Sequence, residues 1–309
     1  MMRHVKYADR GFTMIVVLWV IALLTLILIG FLRSAGTHTG IAANALASAR
    51  AEALADGGVH LAVLNLIKAA GAKTAIASLS APQTCRAAPG ETIDIRIQDA
   101  AGRIDLNSSS QSLLAALLAG LGASTTEAAA GAAAIIDFRD RDSAPLPGGA
   151  EAADYAANGL KVAPKNAPFD TVEELEHVFG FTLSRVKSLF PHITVHSGVA
   201  GIDPASASPH LVTILQAGRL IMTPSGSAPS SSPGSGLPPE FAATSPHHTF
   251  IITSAAETQN GGRYVREAIV DLSSGRTLDY AFRAWKRSEA FPEKEQREAD
   301  PPPCNGLTG

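Results

Sequence analysis

Residues 11–32 form a long apolar stretch that carries no charged side chain. At about 1.5 Å per helical residue the stretch would be roughly 33 Å long, enough to cross the hydrocarbon core of a bilayer. Arg3, Lys6 and Arg10 precede it, and Arg33 follows it. Because an excess of cations marks the cytoplasmic side, we predict one membrane span with a cytoplasmic N-terminus and the bulk of the chain on the far side.

A cleaved secretory signal is the alternative interpretation of this segment. Such signals have an apolar core of about 7–15 residues followed by small residues at the cleavage site. The apolar run here is longer, and Ser34, Ala35 and Gly36 offer only a weak site. We therefore expect the span to be retained as an anchor.

Beyond the span, residues 33–68 contain no proline and keep a helical pattern. Apolar and small residues recur every three or four positions, and Arg50, Glu52 and Asp56 fall on other faces. We predict one long helix, half in lipid and half packed on a soluble domain. The recurring positions are Leu46, Ala49, Ala53, Gly57, Leu61, Leu64 and Lys68.

Four later segments have the alternation of β-strands. In the first of them, Ile93, Ile95 and Ile97 alternate with polar residues. Glycine-containing turn signals separate the last three segments. The pattern predicts an antiparallel meander of strands at residues 91–98, 248–254, 263–272 and 276–285.

Between the first strand and the others, segments rich in Ala and Leu have a helical period. Thr171 and Glu174 form a helix-start pattern, and Gly180 is a stop signal. The chain is therefore predicted to have an α+β fold, with a helical subdomain of residues 105–197 inserted into a β scaffold. The predicted helices cover residues 110–122, 125–139, 171–179 and 183–189.

Composition excludes several classes of function. The net charge of −3 argues against an electrostatic nucleic-acid binder. The two helical pairs resemble helix-hairpin-helix modules, but the turn after Gly122 has no nearby Lys or Arg. Ser184 and Lys187 have the spacing of a hydrolase motif whose companion motifs are missing. We predict no catalytic residue and no enzyme.

Cysteine usage and one acidic loop remain as candidate chemistry. Cys85 and Cys304 lie too far apart for a zinc knuckle; they could pair in an oxidising compartment, and the sequence leaves this open. A loop dense in carboxylates can supply the oxygen ligands of calcium. The alternative is a solvated loop partly neutralised by Arg139 and Arg141. The loop's acids are Asp137, Asp140, Asp142, Glu151 and Asp154, of which the last four are the candidate calcium ligands.

The junction before the span, Arg10-Gly11-Phe12-Thr13-Met14, resembles the prepilin-peptidase site of type IV pilins and type II secretion pseudopilins. The resemblance implies cleavage between Gly11 and Phe12 and N-methylation of Phe12. An uncut signal anchor is the alternative.

Position 16 departs from the common pilin pattern. Most of these proteins have a glutamate as the fifth mature residue, which neutralises the terminal amine of an adjacent subunit among apolar helices. Val16 occupies that position here. The general secretion pathway protein K family lacks this glutamate, and its members are thought to cap the pseudopilus tip.

Local phrases across the chain also resemble the protein K family, which carries a large helical insertion in a pilin-like fold. They are Asp105-Leu106-Asn107, residues 137–142, Gly148-Gly149-Ala150-Glu151, Lys165-Asn166-Ala167-Pro168-Phe169, Val195-His196-Ser197 and Gly201-Ile202-Asp203.

The resemblance implies a minor pseudopilin in the inner membrane, with its bulk in the periplasm and calcium in the periplasmic domain. The implied partners are the major and other minor pseudopilins, the prepilin peptidase and the inner-membrane secretion platform, with secreted cargo as a further candidate. A minor type IV pilin or a membrane-anchored DNA-uptake protein is the alternative.

The predicted organisation is a leader (1–11), a long helix (12–70), a first β part (71–104), the helical subdomain (105–197), a second β part (198–285) with a Ser/Gly/Pro linker (223–239), and a disordered tail (286–309).

Overall fold

The computed structural model describes residues 10–72, 81–223, 236–272, 280–288 and 301–304. The predicted leader lies almost entirely outside the described residues, as does most of the predicted linker.

Helix α1 (Arg10–Ala72) is a single 63-residue helix. Its C-terminal half packs on the sheet through a buried face that includes Ala51, Ala55, Val59 and Leu66. Small residues permit this close packing, since a Cβ at Gly58 would lie 2.2 Å from Ser254 Oγ. The long helix is thus present as predicted.

The buried face of α1 is not the recurring pattern singled out in the sequence. Leu46, Ala49, Ala53, Gly57 and Leu64 are all exposed. The two faces are hard to separate by hydrophobicity because Ala dominates both of them.

Ion pairs fix the position of α1 along the sheet. Arg266 is 7% exposed; its Nε lies 2.6 Å from Asp56 and its Nη2 lies 2.8 Å from Glu52. Arg50 pairs with Glu91 at the start of a neighbouring strand. The polar residues of α1 therefore bind the sheet from the flanks of the buried face.

The main sheet has five strands in the order β1-β2-β5-β6-β7, and every neighbouring pair is antiparallel. A second, two-stranded sheet pairs β3 with β4 in parallel at the base of the helical part. The strands are β1 (Gln83–Ala88), β2 (Glu91–Asp99), β3 (Ile104–Asp105), β4 (Ile193–Thr194), β5 (Thr249–Glu257), β6 (Arg263–Asp271) and β7 (Ala281–Arg287).

The helical part has its own core of Leu, Ala and Ile residues, separate from the core between α1 and the sheet. Its helices are α2 (Gln111–Gly120), α3 (Thr125–Arg139), α4 (Ala152–Ala157), α5 (Leu183–Leu189) and α6 (Pro209–Met222).

Helix α6 was not predicted, and it extends the helical part beyond residue 197. It packs against α2 so closely that a Cβ at Gly218 would lie 1.8 Å from the Ala116 carbonyl oxygen. Phe241, which follows the predicted linker by two residues, is also buried in this core. The predicted helix at 171–179 is a 3-10 helix at Val172–His177.

The predicted disordered tail also differs from the structure. Lys286 and Arg287 belong to β7. Cys304 is joined to Cys85 by a disulfide, and Pro302 accepts a backbone hydrogen bond from Arg86 over 2.7 Å. A covalent bond to the buried Cys85 holds this part of the tail against the sheet, which composition alone could not indicate.

Candidate functional site

The acidic loop begins at the end of α3. The helix starts with a capping box in which Ser124 and Glu127 satisfy each other's backbone N–H groups. At its other end the buried Asp137 accepts hydrogen bonds from the Leu146 backbone N–H, 3.2 Å to each oxygen. A Cβ at Gly149 would lie 1.9 Å from Asp137 Oδ2, so the loop fits against α3 only with glycine there.

Three of the predicted ligands converge. Asp140, Asp142 and Glu151 each offer a carboxylate oxygen, and these atoms all lie within 4.8 Å of one another. Asp140 is the C-cap of α3 and Glu151 the N-cap of α4, so the two helix ends bring them together.

Several oxygens at this cluster are buried without an internal partner. Asp140 Oδ1 and both carboxylate oxygens of Glu151 have no hydrogen-bond partner among the described residues, and the same holds for Asn166 Oδ1. Asn166 is next to the cluster, since its Nδ2 donates to the Asp142 carbonyl oxygen over 3.0 Å. Unpaired buried oxygens are costly unless something binds them.

The pKa values of Asp140 and Glu151 are raised by burial and by neighbouring carboxylates. Burial raises the pKa of Glu151, and the charges of Asp137 and Asp140 raise it further. Burial likewise raises the pKa of Asp140, followed by the charges of Asp142 and Asp137. A cation between these groups would remove the repulsion, and an oxygen-only donor set suits a hard ion such as calcium.

Asp154, the fourth predicted ligand, is not in the cluster. Its Oδ2 accepts a hydrogen bond from the Glu151 backbone N–H over 2.9 Å, so it caps α4 and orients Glu151 instead. Arg139 neutralises only part of the charge of the loop, since its charge acts to lower the pKa of Asp140 against the larger effect of burial. Its guanidinium donates to the carbonyl oxygens of Leu106 and Ser109, which ties α3 to the segment before α2.

A second group with metal-ligand character, Asp99, Asp203 and His247, lies where the helical part joins the sheet. Here the carboxylates are already paired: Asp99 Oδ2 binds Ser245 and His247 at 2.7 and 2.6 Å, and Asp203 Oδ2 accepts from Ser206 at 2.9 Å. This group is a hydrogen-bonded junction rather than a set of free ligands.

The span is exposed all round. Two segments of α1 are long and apolar enough to cross a membrane, Phe12–Phe31 and Gly40–Ala70. The second is 44% buried and packs on the sheet, whereas the first is 0% buried with a mean hydropathy of 3.0. Phe12–Phe31 is therefore the better candidate for a membrane anchor of the two, and Val16 lies in its first turns, 43% exposed.

A surface of uncharged residues lies on α1 opposite the side that packs on the sheet. We call Leu46, Ala49, Ala53, Gly57, His60 and Leu64 the outer face of α1; all are exposed. On this face the centre of the His60 ring lies 5.8 Å from the centre of the Phe282 ring and 5.7 Å from that of the Trp285 ring, both of β7. A Cβ at Gly57 meets no atom within 4 Å, so the centre of the face is a shallow, open surface.

Comparison with known proteins follows this geometry. No curated protein matches the chain significantly. A chain of the crystal structure of the GspK-GspI-GspJ complex from the enterotoxigenic Escherichia coli type 2 secretion system has the same fold, with a TM-score of 0.53. The match covers 82% of this chain and 99% of that chain, at 16% sequence identity.

The sequence model of type II secretion system protein K matches residues 93–198. This range begins in β2, includes α2 to α5 and ends just after β4. The α+β prediction with a pilin-like helix and inserted helices is confirmed. Residues 93–198 are therefore similar to protein K of type II secretion systems, and the similarity of the remaining chain is one of fold.

Proposed function

We propose that the chain is the tip subunit of a periplasmic pseudopilus, where it starts assembly and supports export of folded proteins across the outer membrane. The observation that carries the proposal is the outer face of α1, which continues the apolar character of Phe12–Phe31 along a helix whose opposite side is fully used by the sheet. Pseudopilins are structural subunits rather than catalysts.

The outer face suits a neighbouring helix. Its centre consists of Ala49, Ala53 and Gly57, small residues four apart, which let two helix backbones approach closely. Of the charged residues on this part of α1, Glu52 and Asp56 bind Arg266, and Arg50, whose side chain is 59% exposed, binds Glu91. A partner helix could therefore dock without desolvating an unpaired charge. Since the similar E. coli chain is in a complex with two others, other minor pseudopilins are the proposed partners.

Val16 supports the tip position. A subunit with another above it needs a carboxylate near its own N-terminal region to pair with the incoming amine. Val16 provides none. In this account the leader is removed between Gly11 and Phe12 by the prepilin peptidase, Phe12 is N-methylated, and the subunit leaves the inner membrane as the first of the filament.

We also propose that calcium binds the acidic loop, held by Asp140, Asp142 and Glu151, with Asn166 as an additional oxygen ligand. The supporting observation is the set of buried oxygens without hydrogen-bond partners in the described part of the chain. The ion would supply positive charge where the carboxylates repel one another. The chain's own residues then fix the end of α3 against the start of α4.

The outer face is tested by placing one charge at its centre. Ala53→Asp in the full-length chain should abolish co-purification with the partner minor pseudopilins and reduce export at least about tenfold, because a carboxylate would be desolvated against the neighbour helix. Ala53→Ser, small and neutral, is the matched control and should behave as wild type. Full assembly by Ala53→Asp would contradict the proposal.

A further inference from the structure

The tail residues Pro301–Cys304 lie along the outer edge of the sheet. Strand β1 pairs with β2 on its inner side and is the first strand of the sheet. On its outer side the Arg86 backbone N–H donates to the Pro302 carbonyl oxygen over 2.7 Å, and Arg86 forms a parallel bridge with Pro303. The adjacent Cys85 forms the disulfide with Cys304.

The sequence of this segment makes it an unusual partner for a strand. Pro301, Pro302 and Pro303 have carbonyl oxygens but no backbone N–H. The segment can therefore accept hydrogen bonds from β1 but cannot donate to a further strand on its far side. Exposed edges normally invite pairing with another chain, and proline on an edge is a known protection.

The disulfide holds the segment beside β1 more firmly than backbone hydrogen bonds alone would. Backbone hydrogen bonds to Arg86 alone would hold so short a segment only weakly. Cys85 is fully buried in the core between α1 and the sheet, and Cys304 packs against the same core. The covalent bond keeps the segment beside β1 at a high effective concentration.

We propose that Pro301–Cys304 is a covalently held edge cap that prevents β1 from pairing with β1 of a second copy of this chain. The excluded partner is a second copy because, without the cap, each copy would present an identical bare β1 edge, and two such edges can pair in antiparallel register. Association of the subunit is thereby restricted to its other surfaces. The inference stands independently of the outer face of α1.

The test compares the full-length oxidised chain with Cys304→Ser in the same detergent. Amide hydrogen exchange of Arg86 should become at least about tenfold faster in the variant, and light scattering should show concentration-dependent dimers. Amides of β5 and β6 should keep their protection, which shows that the sheet is intact. Unchanged exchange at Arg86, or a monomer at all concentrations, would overturn the proposal.

Two further variants make the test specific to the β1 edge. Thr84 lies two residues from Arg86, so its backbone N–H points to the same side. Adding Thr84→Pro to Cys304→Ser should restore the monomer, and persistence of the dimer would contradict the assignment to this edge.

The triple variant Pro301→Ala, Pro302→Ala and Pro303→Ala retains the disulfide. It tests the edge cap if Cys304→Ser does not fold. We expect Arg86 to stay protected while dimers form, because the alanines restore N–H donors to the outer side. A monomeric triple variant would overturn the role of the prolines in the edge cap, and rapid exchange at Arg86 despite the intact disulfide would overturn the cover over β1.

Discussion

The side-chain amide of Asn166 donates to the backbone carbonyl of Asp142 over 3.0 Å, while its own oxygen is buried without a hydrogen-bond partner in the described part of the chain. The Asn166 backbone has a φ of 49° and donates to the Phe138 carbonyl oxygen over 2.9 Å. This left-handed conformation, which asparagine tolerates better than most residues, places the Asn166 side chain against the backbone of Asp142, 24 residues away in sequence.

Calcium binding should depend on Glu151. Glu151→Gln removes one charge from a carboxylate whose two oxygens have no hydrogen-bond partner among the described residues, so we expect calcium affinity to fall at least about tenfold, or ~1.4 kcal/mol. Calorimetry on the full-length chain in detergent measures this. Glu176→Gln, on an exposed position of the 3-10 helix, makes the same chemical change and should leave affinity unchanged. Equal affinities in the two variants would remove Glu151 from the ligand set.

Asn166 should act as a neutral ligand. Asn166→Ala removes its buried oxygen together with the hydrogen bond to Asp142, and Asn166→Asp retains the oxygen. We expect weaker calcium binding for the first variant and retained binding for the second. If calorimetry found the same calcium affinity for Asn166→Ala as for the wild type, the Asn166 side-chain oxygen would not be a calcium ligand.

The effect of calcium on stability should grow with pH. The pKa values of Asp137, Asp140 and Glu151 are raised, mainly by burial. Without calcium the folded chain therefore holds these protons more tightly than the unfolded chain, and stability falls as pH rises from the ordinary carboxyl range through the raised values. Calcium binds the ionised forms. The increase in Tm on adding calcium should thus be larger at pH 7.5 than at pH 5; equal increases would contradict the site.

The junction below the helical part should depend on Asp105. This fully buried carboxylate accepts from the backbone N–H groups of Asn107 and Gly198 over 2.7 and 2.8 Å, and from Ser197 Oγ over 3.1 Å. Asp105→Asn replaces one accepting oxygen with a donor, so we expect a loss of about 2–3 kcal/mol of stability. Thermal unfolding measures it. Asp170→Asn, at an exposed carboxylate, is the control and should cost less than about 1 kcal/mol.

The attachment of α1 should depend on Arg266. Arg266→Ala breaks the pairs with Glu52 and Asp56 and removes a guanidinium 5.1 Å from the Trp285 ring centre. Because both carboxylates are partly exposed and can be rehydrated, we expect a loss of only about 1–2 kcal/mol. Lys187→Ala on α5, at an exposed position, is the control. If Arg266→Ala left the thermal stability unchanged, the buried alanines of α1 alone would hold the helix on the sheet.

Local pattern was sufficient for much of the fold. Ile93, Ile95 and Ile97 do face the core, as their alternation predicted. Helix α6 was missed because its partner, α2, lies about a hundred residues away in sequence and local pattern shows no such contact. The outer face of α1 was misread because alanine gives both faces similar hydrophobicity.

The acidic loop shows the same limit. Asp140, Asp142 and Glu151 could be found from their density in the sequence, but density also included Asp154, whose role is to cap α4. Asn166 could not be identified this way, since only the folded chain brings its side chain within hydrogen-bonding distance of Asp142.

The most direct test of the central claim is mass spectrometry of the chain's N-terminus after expression with and without the prepilin peptidase. The account predicts that, with the peptidase, the chain begins at a methylated Phe12, and that Gly11→Ala retains the leader and loses export. An intact N-terminus in the presence of the peptidase, or a start beyond Leu32, would contradict it.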